Sequence, residues 1–189
     1  MDTGSEDTEP YYVIQVAPGA ESRTEALIRG RVDAGLYGRC FYPLRHVRKK
    51  FRGEWKDIHE KLIPGYVFVT SSRVEELYWE LKRVPVLTKV LGRSDGDLFI
   101  PLAVGEAEWL EKVTAGGEEV GLSLVTVSEG DAVTILEGPL KDMEGYIRKI
   151  NLHRRIAEVE VDFMGRKTVI HMGIEMVGKD TKGGAGKAI

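Results

Sequence analysis

The sequence predicts an α+β protein in two parts: a ferredoxin-like split βαβ domain over residues 11–113, then a small β-barrel over residues 128–178. Three observations predict this. The first part reads strand, helix, strand, strand, helix, strand, which is the split βαβ order. The second holds short strands only, separated by glycine turns at even spacing, as in small barrels. Between them, residues 114–127 open on Gly116-Gly117 and Glu118-Glu119 with little apolar content, which predicts a flexible linker.

The first strand is Tyr11 to Val16, β-branched and aromatic, stopped by Pro18-Gly19. Ser22 and Glu25 have capping-box spacing, and Ile28, Val32 and Leu36 recur four apart, so a helix with one apolar face follows. Cys40 to Leu44 reads as a short second strand because it carries Pro43. A charged arm runs from Arg45 to Lys61 around Gly53. Pro64-Gly65 introduces Tyr66 to Thr70, a strand apolar on both faces, so it is buried or one face meets a partner. Alternation puts Tyr66 and Phe68 on one face and Val67 and Val69 on the other. Ser72 and Glu75 repeat the capping spacing before Val74, Leu77, Tyr78 and Leu81, an amphipathic helix stopped by Pro85. Val86 to Leu91 reads as a strand, Gly92 to Gly96 as a turn, Phe99-Ile100 as an extended piece, and Glu106 to Val113 as a weaker third helix. In the barrel, strands are expected at 131–136, 145–150, 156–161 and 167–172. Gly130, Gly138-Pro139, Gly145 and Gly165 interrupt any helix there, so the barrel is expected to be constitutive. Residues 1–10 read as a disordered lead-in and 179–189 as a frayed tail.

Composition narrows the function. The chain has 189 residues, 42% hydrophobic and 30% charged, with net charge −3. A general polyanion binder would be basic, so nucleic-acid binding here requires a local patch. The single Cys40 excludes an internal disulfide and fits a reducing cytoplasm. No apolar run reaches the ~20 residues of a membrane span, so no membrane partner is expected. His46, His59, His153 and His171 are scattered, Cys40 has no neighbouring base, and no Walker or Rossmann glycine pattern occurs. The sequence therefore proposes no enzyme, no catalytic residues, no metal site and no cofactor.

The stretch Val133 to Gly145, VTILEGPLKDMEG, has the strand, Gly-Pro, large apolar residue and later glycine of a KOW motif, followed by Ile147, Ile150 and a strand at Ala157 to Val161. With Tyr12-Val13, Glu21 at the helix start and the block Pro64-Gly65-Tyr66-Val67-Phe68-Val69, the chain from Tyr11 to Val177 resembles the NusG family of transcription elongation factors. That resemblance implies an NGN-like first domain and an SH3-like KOW barrel. It implies binding to the clamp helices of the largest RNA polymerase subunit, with Tyr66, Phe68, Tyr12 and Pro64 as contact residues. Aromatic anchors suit the centre of such an interface. The plainer reading of Tyr66 and Phe68 is core. Glu76, Leu77 and Tyr78 lie near the family's gate-loop contact, although the spacing of Leu77 and Tyr78 reads as helix core.

Two cationic runs are candidates for nucleic acid. In the barrel, Arg148, Lys149, His153, Arg154 and Arg155 contain no acid between them; Lys141, Arg166 and Lys167 add charge, and neighbouring turns are expected to converge into one patch. In the arm, Arg48, Lys49, Lys50 and Arg52 interleave with Phe51 and Trp55, a pattern suited to stacking on exposed bases. A solvated turn and a surface hairpin are the plainer readings. The wording of Leu136 to Lys167 is similar to LoaP-type antiterminators, which resemble RfaH in serving selected operons. This implies a nascent RNA hairpin as the barrel's partner, with non-template DNA as a further partner of RfaH-like proteins. The alternatives are a general NusG, whose barrel binds ribosomal protein or Rho, and a KOW-type RNA-binding protein of the ribosome. A monomer is expected.

Overall fold

Tyr11–Gln15 forms the first strand, β1, and Tyr66–Thr70 forms β5, its antiparallel neighbour, with Val13 opposite Phe68. The computed structural model describes residues 9–84, 89–90, 101–128 and 132–177. Between β1 and β5 come helix α1 (Glu21–Arg31), strand β2 (Cys40–Phe41), and the hairpin of β3 (Leu44–Phe51) and β4 (Glu54–Lys61). Helix α2 (Val74–Leu81) and strand β6 (Lys89–Val90) complete a sheet ordered β2-β5-β1-β6, the split βαβ arrangement. The rest of the strand expected over 86–91, the turn over 92–96 and the piece at 99–100 lie outside the described residues, as do residues 1–8 of the lead-in and the tail.

Alternation divides the sheet residues between two apolar layers. Tyr12, Ile14, Val16, Val67 and Val69 pack with Ile28 of α1 and Leu77 and Leu81 of α2, so both helices cover one face. Tyr11, Val13, Phe41 and Phe68 form the other layer. It is covered by helix α3 (Val104–Thr114), through Leu110 and Val113, and by the barrel.

The helix starts differ from the spacing argument. Helix α1 begins at Glu21 after Ala20, and α2 begins after Arg73, neither with a side-chain cap. Ser71, rather than Ser72, meets the start of α2: its Oγ accepts the Arg73 N–H at 2.9 Å. Helix α1 also ends at Arg31. Asp33 Oδ1 accepts the Gly35 N–H at 2.8 Å and turns the chain, yet Val32 and Leu36 remain buried in the same layer as Ile28.

The stretch 114–127, expected to be a flexible linker, is structured. Strand β7 (Glu119–Val120) pairs in parallel with β3, and β8 (Ser123–Val127) is a strand of the barrel. The barrel sheet has the order β10-β11-β12-β8-β9, with β9 Val133–Glu137, β10 Ile147–Asn151, β11 Ile156–Phe163 and β12 Arg166–Met176. Between β9 and β10, Pro139–Tyr146 is a 3-10 segment, so strand structure resumes at Ile147, two residues later than expected.

The Gly-Pro-Leu spelling has a steric cause. Gly138 sits at φ +98° and ψ −180°, a region nearly reserved for glycine, and a Cβ there would lie 2.6 Å from Ser123 Cα and 2.7 Å from Leu122 O. This close approach lets the Leu140 N–H donate to Ser123 Oγ at 3.0 Å and buries the Leu140 side chain. Gly138→Ala is therefore expected to destabilise the barrel by about 1–3 kcal/mol from backbone strain. A urea unfolding series checks it; an unchanged midpoint would mean that the close approach does not matter.

Candidate functional site

The aromatic face of β5 is already occupied. Phe68 is 0% exposed, stacked on Phe41 with ring centroids 5.8 Å apart. Phe163, the last residue of β11, stands edge-on to Tyr66 at 5.1 Å and tilted to Phe68 at 5.9 Å. Tyr12 points to the helix layer and is buried. Of the four expected polymerase contacts, Pro64 is exposed and Tyr66 half-buried. Both faces of the strand are apolar, and in this arrangement both are covered.

Hydrogen bonds hold the cover in place. Trp109 Nε1 of α3 donates to Asp162 O at 3.1 Å, and the Gly165 N–H donates to Glu106 Oε1 at 3.1 Å. Beneath α3, the Tyr11 hydroxyl donates to Glu111, and Arg39 Nη1 donates to the same carboxylate at 2.8 Å while its guanidinium lies 4.4 Å from the Phe41 ring centroid. Burial, and then the Glu111 hydrogen bond, pushes the Tyr11 phenol above its ordinary range, so it stays a neutral donor.

The charged arm is a β-hairpin with a two-residue turn, Arg52 at φ +49° and Gly53 at φ +91°, the left-handed pair that such turns need. The hairpin lies against β12. Gly173 has no room for a side chain there: a Cβ would come within 2.2 Å of His46 O. Arg45 Nη1 donates to His171 O at 2.8 Å, and Arg48 pairs with Glu175. Arg155, at φ +54° in the β10–β11 turn, stacks over Trp55 of β4 with its guanidinium carbon 4.0 Å from the ring centroid.

These contacts sort the candidate cations. Arg155 is engaged by Trp55 and, at 3.8 Å, by Glu175. Arg148 forms a forked pair with Glu160 across the β10–β11 ladder; that hydrogen bond raises the guanidinium's pKa and lowers the carboxylate's. Lys167 Nζ is 3.0 Å from Asp162, and Lys141 Nζ donates to Leu136 O at 2.9 Å. In the arm, Arg48 is held by Glu175 and Asp57, and Lys49 by Glu60. Lys149, His153 and Arg154 on the barrel and Lys50 and Arg52 on the hairpin are exposed. The expected convergence of the barrel turns fails on geometry. The 151–155 turn and the 164–165 turn cap opposite ends of the eight-residue β11, about 25 Å apart. Arg166 lies at the far end, with Nη2 3.5 Å from the Tyr66 hydroxyl.

Elsewhere, Leu77 is buried, Tyr78 half-buried, and Glu76 pairs with Arg73. Cys40 is buried, and burial first, then Glu25, pushes its thiol up to about 12. No cluster of three or more metal-ligating side chains occurs among the described residues, and no helix among them is long and apolar enough to cross a membrane. Sequence reasoning missed Phe163, Trp109 and Glu175. The signal for Phe163 was present: Val159, Val161 and Phe163 continue one alternation two residues past the expected strand end.

Residues 9–109 match the family model described as transcription termination factor nusG. The chain is 29% identical over 181 residues to the transcription termination/antitermination protein NusG of Thermus thermophilus, covering 89% of this chain and 97% of that one. It is 24% identical over 186 residues to the protein of that name from Rickettsia bellii, covering 95% of each. A solved structure described as "Domain interaction in Thermotoga maritima NusG" is similar with TM-score 0.55 and 25% identity, covering 87% of this chain and 93% of that one.

Proposed function

The chain belongs to the NusG family of transcription termination/antitermination factors, and from that premise we propose that it binds RNA polymerase through the Tyr66–Phe68 face of its first domain when the barrel swings away. The observation that carries this reading is the seating of Phe163 on Tyr66 and Phe68. The barrel covers an aromatic surface of the kind that concentrates binding energy at interfaces. Release would expose that surface to the polymerase clamp helices. In this reading the closed form is a resting form, and bridging the polymerase cleft suppresses pausing and termination.

The second half of the proposal concerns the barrel. Lys149 and Arg154, with His153 beside Arg154, form an exposed basic rim on an otherwise acidic protein, suited to phosphate. With the LoaP-like wording of Leu136 to Lys167, this supports a specialised factor whose barrel takes a hairpin of the nascent RNA. The curated relatives carry the general NusG name, which favours a general factor whose barrel takes a protein partner.

Transcription through an intrinsic terminator, with and without a structured leader, tests the whole proposal. Read-through that rises only with the leader is expected, and no effect on polymerase in either case would refute it. A gel shift separates the two kinds of factor. Sequence-dependent hairpin binding that is lost in Lys149→Ala/Arg154→Ala supports the specialised form. Binding without sequence preference supports the general one. Arg155 is a poor probe, because Arg155→Ala also strips the cation from Trp55 and disturbs domain packing.

A further inference from the structure

The two cationic runs, separate in the sequence, meet at one place. Arg155 bridges them: its backbone belongs to the barrel turn and its guanidinium lies on Trp55 of the hairpin. Lys50 is directly opposite Trp55 in the β3–β4 register, so the two side chains share a face of the ribbon, with Cβ atoms about 5 Å apart. The turn that carries Arg155 is fixed at both ends. Asn151 Oδ1 accepts the Arg154 N–H at 2.9 Å, and Arg155 O accepts the Ile174 N–H at 3.0 Å. His153 and Arg154 are thus presented outward beside the hairpin rather than on a floppy loop. The hairpin itself is fixed to β12 by the Arg48–Glu175 pair and by the close approach at Gly173.

Residues 50–56 contain one acid, Glu54, and residues 151–155 contain none, in a chain of net charge −3. At the hairpin tip Phe51 is 47% exposed, next to Arg52. From this juxtaposition we infer that the closed protein binds single-stranded RNA across the seam between hairpin and barrel. Lys50, Arg52 and Arg154 contact phosphates of the strand, and Phe51, on the other face of the ribbon opposite Glu54, offers a ring to an unpaired base where the strand rounds the tip. Cations that track a backbone beside an exposed aromatic are how proteins hold single strands without reading their sequence. An A-form RNA duplex has a major groove too deep and narrow for these side chains to enter. The inference rests on the barrel-rim reading above and extends it onto the first domain, so that the strand contacts both domains.

The test is fluorescence anisotropy of the full chain with a short, labelled, uridine-rich RNA strand. Each phosphate contact on a single strand contributes about 0.7 to the slope of log affinity against log salt. Removing two contacts in Lys50→Gln/Arg52→Asn is therefore expected to weaken binding about tenfold at ~0.15 M salt, and removing one in Arg154→Gln about fourfold. Asn is chosen at position 52 because it tolerates positive φ; all three sites are exposed, so the fold should persist. If Arg154→Gln weakens binding and the hairpin variant does not, the seam is wrong and the barrel-rim reading stands. If neither variant has an effect, or the hairpin variant alone weakens binding, the seam is wrong, and the barrel-rim reading is decided by the hairpin gel shift. Displacement of the RNA by polyglutamate at equal charge would overturn the nucleic-acid assignment in favour of an acidic protein partner.

Discussion

Phe163→Ala is expected to open the protein. The ring is 2% exposed, and its neighbours across the seam are Tyr66 and Phe68. Truncating a buried phenylalanine costs about 3–5 kcal/mol, and loss of a favourable aromatic pair is part of that cost. Two contributions divide it. The ring ends the alternating inner face of β11, so part of the loss falls on the barrel itself. The rest falls on the packing of barrel against sheet. If about half falls there, the ratio of closed to open forms drops more than tenfold. The polar contacts left at this end are the Trp109–Asp162 and Gly165–Glu106 hydrogen bonds and the Arg166–Tyr66 contact at 3.5 Å. Small-angle scattering should report a larger radius of gyration, and capture by immobilised RNA polymerase should rise. A variant that stays compact, with wild-type capture, would show that Phe163 does not gate the aromatic face. Phe163→Leu keeps most of the volume and should lie between the two.

The same face explains why the sequence was half legible. Alternation along YVFVT correctly separates Tyr66 and Phe68 from Val67 and Val69, and both helices do lie on the valine side. Alternation cannot say what covers the aromatic side, because a strand buried by a helix and a strand buried by another domain have the same spelling. Local pattern failed where pairing is long-range. Glu119-Val120 has no strand signal of its own and becomes a strand because β3 offers a parallel edge, so the stretch read as linker is ordered by tertiary contacts.

The cations show a similar division. Their density was visible, and their availability was not. Glu160 neutralises Arg148 across one ladder, Glu60 holds Lys49 across another, and Glu175 reaches Arg48 from a different domain. Each pairing depends on strand register or domain packing, neither of which charge counting supplies. What survives is a smaller set of exposed cations, and it survives on both sides of one seam. The domain contact that hides the aromatic face is thus also the contact that assembles the cationic one.

Replacing Glu21 is expected to be among the most damaging single changes in the first domain. Its side chain is fully buried at the start of α1, yet it is charged and fully engaged. The carboxylate accepts the Gly65 N–H at 2.7 Å and the Gly19 N–H at 2.8 Å, and pairs with Lys61 Nζ at 2.8 Å. One side chain thereby ties the helix start, the base of the hairpin and the Gly65 turn, at φ +89°, that leads into Tyr66. Glu21→Ala leaves two N–H groups without their acceptor, at about 1–3 kcal/mol each, while the partly exposed Lys61 ammonium can turn to water. Its pH dependence has a definite sign. Burial raises the carboxyl's pKa, but the Lys61 and Gly65 hydrogen bonds outweigh it, leaving the value below its ordinary 4.5. A depressed folded-state pKa stabilises the fold above the unfolded value, and that contribution fades as pH falls through the folded one. The wild type should therefore hold its Glu21 contribution at neutral pH and lose it below about pH 4.5. Glu60, depressed by Lys49 and Arg45 against its own burial, acts in the same sense. The informative quantity is thus the difference between wild type and Glu21→Gln in urea midpoints from neutral to acid pH. That difference should shrink as the pH falls; if it stays constant, the carboxylate's charge is not what holds the turn.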